Sequence, residues 1–390
     1  MKLLSFVSCL LSSSVLAAAP SEAMRIYAEI QMTNKVLNLR NGPWLAHRYQ
    51  DALKVATNAD ERAVIACAYA KFGYSFAMDD DVAKWRRMQV EAYNTPGASA
   101  ATRLNLLKGG ISGLDYETEG WKLVEKEPKL QQTYFWELID RTRFGTSGLN
   151  EAGSAEHRLA VCEKAIALLG KDAMGGAFVS AKANTLRRLG RDADAEKVLL
   201  ETIATTNARP RAAAERALGE FYAAVAQRYY AEPDAPTLRK ALQHYEAALE
   251  WAKSFSKPRQ HEYDAVIATA MKLGDWPAAK RAIDDYRGTL KDGPDGYTAA
   301  KLGDYHYFQG DYAEAVKAYS LVPVAKFQAS RPEHADAGAT EWNRYAESFY
   351  ATGRYAEALE LVPKFVGWCS LADRNALYKR ILKSKAESAK

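Results

Sequence analysis

The sequence predicts an all-α protein built from repeated helix hairpins. Two stretches are near copies of each other, Gly310-Asp-Tyr-Ala-Glu-Ala-Val and Gly353-Arg-Tyr-Ala-Glu-Ala-Leu. In each, a glycine is placed to end a first helix, and an alanine five residues later is placed where a second helix must touch the first. The chain lacks the long apolar–polar alternation typical of strands, and its 390 residues suit an array that grows by adding repeats.

A regular spacing extends this pattern through the second half of the chain. The alanine that follows a turn glycine recurs after Gly190, Gly274, Gly310 and Gly353, as Ala195, Ala279, Ala315 and Ala358. Ala160 and Ala241 continue the series without a glycine, so that successive steps run from 35 residues (Ala160 to Ala195) to 46 residues (Ala195 to Ala241). Twelve positions before the glycine-led alanines lie Ala183, Ile267, Gly303 and Ala346, and three of these are small.

This pattern resembles the tetratricopeptide (TPR) repeat, in which a small residue of the first helix meets the alanine of the second. The resemblance covers Ser154 to about Gly367, and Leu218-Gly219 with Tyr222 is a further first-helix match, displaced from its alanine by a proline-rich insertion. It implies a right-handed α-α superhelix, a TPR-like solenoid of antiparallel helix hairpins. It also implies that the inner faces of the first helices bind an extended peptide or a partner helix.

The resemblance indicates which residues would line that concave face. The family's contact positions fall on Ser180, Asn184, Arg187, Asp264, Met271, Tyr297, Asp304, Tyr307, Asn343, Arg344, Glu347 and Tyr350. The basic set that holds a peptide's terminal carboxylate in some members is matched only in part, at Asn343 and Arg344. The conspicuous stretch Gly310–Tyr319 is interpreted as a packing device, and recognition is placed on the helix before it.

Helix caps, breakers and composition assign the remaining segments. Residues 20–144 are predicted as irregular helical hairpins, 145–154 as a loop, 155–368 as TPR-like repeats, and 369–390 as a capping helix with a polar tail from Lys383. In the first half, helices are predicted at Ser21–Leu39, Trp44–Ala56, Asp60–Phe72, Val82–Tyr93, Ser99–Lys108, Gly120–Glu127 and Lys129–Phe144. The acidic run Asp79–Asp81 is interpreted as favourable charge at a helix start, since it lacks the spaced ligands and turn glycine of a calcium loop.

The first 19 residues have the three parts of a secretory signal peptide. Lys2 supplies the charged start, residues 3–16 form a short apolar run broken by serines, and three alanines precede Pro20. The run is too short to span a membrane comfortably, and the residues before Cys9 match a lipoprotein cleavage box poorly. We therefore expect export to the periplasm or the extracellular space, without a transmembrane span in the mature chain and without a lipid anchor.

The balance of charged residues and the absence of known catalytic or metal-binding motifs exclude several classes of function. The chain has 53 basic and 48 acidic residues, a mixed surface that argues against nucleic acid as the partner. Cys67, Cys162 and Cys369 show neither metal nor disulfide spacing and are interpreted as packing residues, although one pair could oxidise after export. The six histidines have no zinc-ligand spacing, and the chain has no phosphate-binding loop, dinucleotide fingerprint or nucleophile motif. The sequence thus predicts no catalytic residues, no metal and no cofactor.

Two function hypotheses remain. The first is an exported scaffold or adaptor that binds a protein or peptide partner in the cell envelope. The alternative is a glycan-binding or glycan-cleaving helical protein, motivated by export and by an aromatic content of 8 Trp, 22 Tyr and 12 Phe that could stack sugars. The oligomeric state is left open by the sequence.

Overall fold

A computed structural model describes residues 20–36, 42–75, 82–142, 151–228, 234–290, 295–322, 339–361 and 371–388. Over these ranges the chain forms 19 α-helices and no strand. It divides into two compact units, one ending at Met174 and the other starting at Gly175. None of the described helices is long and apolar enough to cross a membrane.

The first unit contains eight helices that pair in order along the chain, α1 with α2, α3 with α4, α5 with α6 and α7 with α8. Their bounds are α1 Glu22–Val36, α2 Gly42–Val55, α3 Ala59–Ser75, α4 Val82–Tyr93, α5 Ala100–Lys108, α6 Tyr116–Val124, α7 Pro128–Arg141 and α8 Glu151–Leu169. Ile26 and Ile30 of α1 pack with Tyr49 of α2 and Phe72 of α3 in one buried cluster. Neighbouring hairpins therefore share a core, because a single hairpin cannot bury its own apolar face.

The second unit continues the same plan with eleven helices. Their bounds are α9 Ala177–Arg188, α10 Asp192–Thr205, α11 Ala208–Arg228, α12 Ala235–Phe255, α13 Gln260–Leu273, α14 Trp276–Gly288, α15 Gly296–Phe308, α16 Tyr312–Ser320, α17 Ala339–Ala351, α18 Tyr355–Leu361 and α19 Leu371–Ser388. The hairpins are α9/α10, α11/α12, α13/α14, α15/α16 and α17/α18, and α19 packs on the last of them. The predicted all-α fold of TPR-like helix hairpins is confirmed.

Close approach of paired helices depends on small residues. A Cβ atom placed on Gly303 of α15 would lie 2.4 Å from the ring of Tyr319 in α16, so that only glycine fits there. Ala315 of α16 is fully buried, as are the equivalent alanines of the other four hairpins of the unit, Ala195, Ala241, Ala279 and Ala358. Ile267, the one large residue at a predicted small position, is also buried (1% exposed) and its hairpin forms nevertheless.

The turns of four hairpins are closed in the same way. Gly190, Gly274, Gly310 and Gly353 have φ angles of 74, 67, 78 and 71°, a left-handed conformation that other residues rarely adopt. After each glycine, the next backbone N–H donates to the carbonyl five residues back, as from Asp311 to His306 at 3.0 Å. Asp311 then caps α16 by accepting from the N–H of Glu314 at 3.3 Å. The repeated stretch is the packing and turn device that the sequence predicted.

Several sequence predictions are wrong in detail. Ala160 is exposed on α8, so it does not belong to the series of helix-contact alanines. The loop predicted at 145–154 ends earlier, because α8 begins at Glu151 and Ser154 is buried, with its hydroxyl donating to the carbonyl of Thr142 at 3.0 Å. Gly120 does not start a helix but lies within α6. The predicted polar tail from Lys383 is helical to Ser388.

Glycines inside helices recur at close helix contacts, and the sequence indicated only two of these four positions, Gly303 and Gly219. Three more helical glycines approach an aromatic ring of another helix as Gly303 does. A Cβ atom added to them would lie 2.4 Å from Trp85 at Gly73, 2.8 Å from Tyr134 at Gly120 and 2.7 Å from Tyr245 at Gly219.

Two points complete the comparison of predicted and observed elements. The helix predicted from Asp60 begins at Ala59, where Asn58 accepts from the N–H of Glu61 at 2.9 Å. The predicted signal peptide, Asp79–Asp81 and Cys369 lie outside the described residues.

Replacing Gly303 by alanine is expected to destabilise the protein by roughly 1–3 kcal/mol, because the added methyl group would overlap the Tyr319 ring. Gly288→Ala is the matched control, since a Cβ at that helical position meets nothing within 4 Å. The control should be neutral or stabilising by up to about 1 kcal/mol. Thermal unfolding followed by circular dichroism measures both, and equal behaviour of the two variants would contradict the close approach.

Candidate functional site

A continuous set of polar side chains connects the helices of the last hairpins. On α15, the residues Tyr297, Lys301, Asp304 and Tyr307 recur at spacings of three and four, which places them along one side of the helix. They contact polar residues of α13 before them and of α17 after them. This set, with the partners described below, is called the polar ladder.

The first part of the ladder joins α13 to α15 and α17. The hydroxyl of Tyr297 donates to Asp264 at 2.8 Å, and the Lys301 ammonium lies 3.6 Å from Asp264 and 3.5 Å from Glu341. Burial would lower the pKa of Lys301, but the carboxylates of Asp264 and Glu341 raise it above its ordinary value. Lys301 therefore remains charged and holds three helices together by ion pairing.

The middle of the ladder is centred on Asp304, which is only 4% exposed. Its carboxylate accepts a hydrogen bond from the Tyr319 hydroxyl at 2.5 Å and lies 2.8 Å from Nη1 of Arg344. Burial raises the pKa of Asp304, and the Arg344 guanidinium opposes that rise. Arg344 is thus the positive charge that compensates a buried carboxylate.

The last part joins α15 and α17 to the terminal helix α19. The hydroxyl of Tyr307 donates to Glu347, whose other oxygen lies 3.0 Å from Nη2 of Arg380. The hydroxyls of Tyr350 and Ser384 are hydrogen-bonded at 3.0 Å. The ladder therefore extends without a gap from α13 to α19.

An exposed aromatic ring lies beside the ladder. Phe308, the last residue of α15, is 47% exposed. The guanidinium of Arg344 lies 4.5 Å from the centre of this ring and 6.0 Å from that of Tyr307. Asp304 holds the Arg344 guanidinium in place by the ion pair described above. Phe308 and Arg344 therefore form a patch in which one apolar and one cationic group have fixed positions.

The structure separates the predicted contact residues into three groups. The first group belongs to the ladder and is partly accessible to solvent: Asp264, Tyr307, Arg344, Glu347 and Tyr350. Asn343 is half-buried on α17, next to Arg344. Tyr297 and Asp304 are 3% and 4% exposed, so these two are corrected from contact residues to buried supports of the ladder. A single helix carries both kinds, because helical residues three and four apart share a side but differ in depth.

The remaining predicted residues are not joined to the ladder by any described hydrogen bond or ion pair. The hydroxyl of Ser180 donates to the carbonyl of Gly176 at 3.3 Å, within its own helix start. Asn184 is exposed, Met271 packs against the buried cluster of α12 to α15, and the Arg187 guanidinium lies 5.6 Å from the Phe221 ring. The predicted contact residues on α9, which are Ser180, Asn184 and Arg187, therefore make no described hydrogen bond or ion pair with the ladder.

Sequence reasoning missed six members of the site. They are Lys301, Phe308, Tyr319, Glu341, Arg380 and Ser384. Lys301 and Phe308 could have been found, since they lie four residues after Tyr297 and after Asp304 on the same helix. Arg380 and Ser384 could not, because α19 was interpreted only as a cap and its pairing with α17 depends on tertiary packing.

A cavity of about 470 Å³ beside α12 and α14 contains the carboxylates of Glu246, Glu250 and Asp285. However, Lys253 lies 2.8 Å from Glu250 and 2.5 Å from Asp285, and none of the described residues that line the cavity is aromatic.

Within the described ranges, no three His, Cys, Asp or Glu side chains are grouped to hold a metal ion. Cys67 and Cys162 are buried, and burial raises the pKa of the Cys67 thiol.

Comparisons with known proteins find similarity only among solved structures. No protein-family model and no curated protein matches the chain. A chain of the APC/C hetero-tetramer Cut9–Hcn1 is similar with a TM-score of 0.38 and 11% identity, over 98% of this chain and 74% of that one. The pentatricopeptide repeat protein PPR10 from maize has a TM-score of 0.36 and 15% identity, over 99% of this chain and 66% of that one. The human IFIT1 dimer with m7Gppp-AAAA has a TM-score of 0.32 and 13% identity, over 98% of this chain and 99% of that one.

Replacing Arg344 by methionine should destabilise the protein by roughly 3–5 kcal/mol at neutral pH, because it leaves the Asp304 carboxylate buried without its counter-charge. Without Arg344 the pKa of Asp304 rises further in the folded state. A carboxyl group with a raised folded pKa loses stability as the pH rises through its unfolded value, so the deficit should shrink as the pH falls toward about 4.

The control is Arg191→Met, whose pair with Asp194 at 2.7 Å is about half exposed. That variant should lose at most about 1 kcal/mol. The double variant Arg344→Met/Asp304→Asn should recover much of the lost stability, since the Asp304 charge is removed together with its counter-charge. Unfolding curves at several pH values measure these differences, and a deficit independent of pH would show that Asp304 is not responsible.

Proposed function

We propose that this protein is a scaffold that binds a protein or peptide partner on the side of the second unit that carries the polar ladder, and that it acts after export, in the cell envelope. The observation that carries this proposal is the patch of Phe308 and Arg344 held in place by buried Asp304. Aromatic and arginine side chains are enriched among residues that dominate binding energy. A patch held rigid before binding also loses less entropy on association.

The charge of the ladder supports a protein partner over a nucleic acid. Its cations Lys301, Arg344 and Arg380 are opposed by four carboxylates, those of Asp264, Asp304, Glu341 and Glu347. A surface that binds a phosphate backbone carries an excess of unpaired positive charge. A balanced surface with an exposed aromatic ring suits a partner that brings both apolar and charged groups.

Residues 1–19 supply the argument for location. Their charged start, short apolar run and small residues have the order of a secretory signal, and they lie outside the described residues. The cell envelope is therefore the compartment in which a partner should be sought.

Partner capture tests the ladder side of the second unit. Phe308→Ala removes an exposed ring without removing any member of the ladder, and it should weaken partner binding about fivefold to tenfold or more. Leu200→Ala is the control, because Leu200 is similarly exposed (46%) but lies on α10. Proteins captured from envelope extract by wild-type chain are identified by mass spectrometry, and the affinity of the captured partner is then measured for each variant.

Two outcomes would count against this proposal. Equal affinities for Phe308→Ala and wild type would place the contact elsewhere. Binding to a glycan array, with no protein captured, would favour the glycan-binding alternative instead.

Export is tested separately by the position of the mature N-terminus. Leu10→Arg places a charge in the apolar run, which should block signal recognition and retain the full chain in the cytoplasm. Wild-type chain should be recovered in the envelope or medium with an N-terminus near Pro20. Recovery of an intact N-terminus from the cytoplasm for wild type would overturn the proposed location.

A further inference from the structure

We propose that the first unit holds a second binding site, a groove that accepts an acidic peptide segment. Three adjoining cavities of about 660, 410 and 280 Å³ form the groove. Ser112 lines the first and second cavities, while Lys71 and Ser75 line the second and third. The walls come from α1, α2, α3, α4 and the turn after α5, so the groove crosses successive hairpins. Cavities of this size are typical of ligand sites.

Two cations of the groove, Lys71 and Arg86, have no carboxylate partner among the described residues. Lys71 donates to the carbonyl of Gly109 at 2.8 Å, and the Arg86 guanidinium lies 5.8 Å from the Tyr74 ring. Among the described residues, neither Lys71 nor Arg86 has a carboxylate oxygen within 4.0 Å. Arg87 also lines the groove, and Glu91 is the single acidic residue in the described part of its lining. The described part of the lining therefore has more positive than negative side chains and complements a ligand with carboxylates.

Several other cations of the same unit have a carboxylate close by. Lys122 lies 2.7 Å from Glu119, Lys108 lies 2.8 Å from Glu137, and Arg141 lies 3.1 Å from Glu137. Among the cations of this unit that have no such partner in the described ranges, Lys71 and Arg86 are the two that line the groove. Their position in the groove is what assigns it to an anionic ligand.

The aromatic residues of the groove favour a peptide over a sugar. A sugar ring stacks on an uncovered aromatic face, but Tyr49 is only 2% exposed and is stacked with Tyr69 at 5.6 Å. Tyr27 is half-buried, and burial raises its pKa to about 12. Tyr74 is 43% exposed but lies beside the Arg86 guanidinium. A peptide can instead direct side-chain carboxylates at Lys71 and Arg86 while its backbone follows the groove.

The site is independent of the polar ladder, which belongs to the second unit. Binding is tested by fluorescence anisotropy on the purified full chain. The probe is a fluorescein-labelled hexapeptide pool with Glu fixed at alternate positions and the others randomised. The same pool with Lys in place of Glu, and a heparin-derived oligosaccharide, are compared with it.

The Glu pool should bind at least about tenfold more tightly than the Lys pool, and rising salt should weaken it. Lys71→Met and Arg86→Gln should each weaken the Glu pool by about tenfold, the usual effect of losing one charge-assisted hydrogen bond. Ser75→Trp, which fills the point shared by two cavities, should abolish binding. Lys126→Gln, an equal change of charge at an exposed turn of the same unit, should bind as wild type does.

Four results would overturn the proposal. They are equal binding of the Glu and Lys pools, unchanged binding in Lys71→Met, Arg86→Gln and Ser75→Trp, binding of the oligosaccharide in place of the peptide, and loss of the Glu pool in Phe308→Ala. The last result would place the peptide on the ladder side of the second unit. Thermal unfolding of each variant shows whether lost binding reflects lost folding.

Discussion

The structure depends on one contact, the approach of a helix backbone to the aromatic ring of the helix packed against it. At Gly303 there is no room for a Cβ atom beside the Tyr319 ring, and the same approach recurs at Gly73, Gly120 and Gly219. Because these four pairs of helices are held at short distance, neighbouring hairpins can stack and share a core. A side chain at any of these glycines would separate the helices and disturb the next hairpin as well.

The same contact connects the scaffold to the candidate site. The ring of Tyr319 packs on Gly303, while its hydroxyl donates to Asp304, the next residue of α15. Asp304 in turn holds Arg344, and Arg344 lies over Phe308. Packing between α15 and α16 therefore sets the position of an exposed patch through three side chains.

The candidate sites of the two units differ in the pairing of their cations. The cations of the ladder are paired with carboxylates, whereas Lys71 and Arg86 in the groove of the first unit have no carboxylate partner among the described residues.

Much of the fold could be predicted from local pattern. The turn glycines, the buried alanines and the cap at Asp311 were all predictable, because a left-handed φ, a short interhelical distance and an unpaired N–H each select a residue type. The prediction that Ala160 is a helix-contact alanine was wrong, because an exposed alanine and a contact alanine are the same residue in the sequence. Gly73 and Gly120 misled in the other direction, because glycine usually ends helices and here allows contact within them.

For the site, the resemblance to TPR repeats indicated which positions of the first helices would carry contact residues, since such a position is defined by its place within one repeat. It placed Asp264, Tyr307, Arg344, Glu347 and Tyr350 on first helices that the structure then joined. Only tertiary structure decided that Tyr297 and Asp304 are buried, that Lys301 joins Asp264 to Glu341, and that α19 contributes Arg380. Burial and ion pairing depend on residues far apart in the chain, and no local spacing encodes the distance between them.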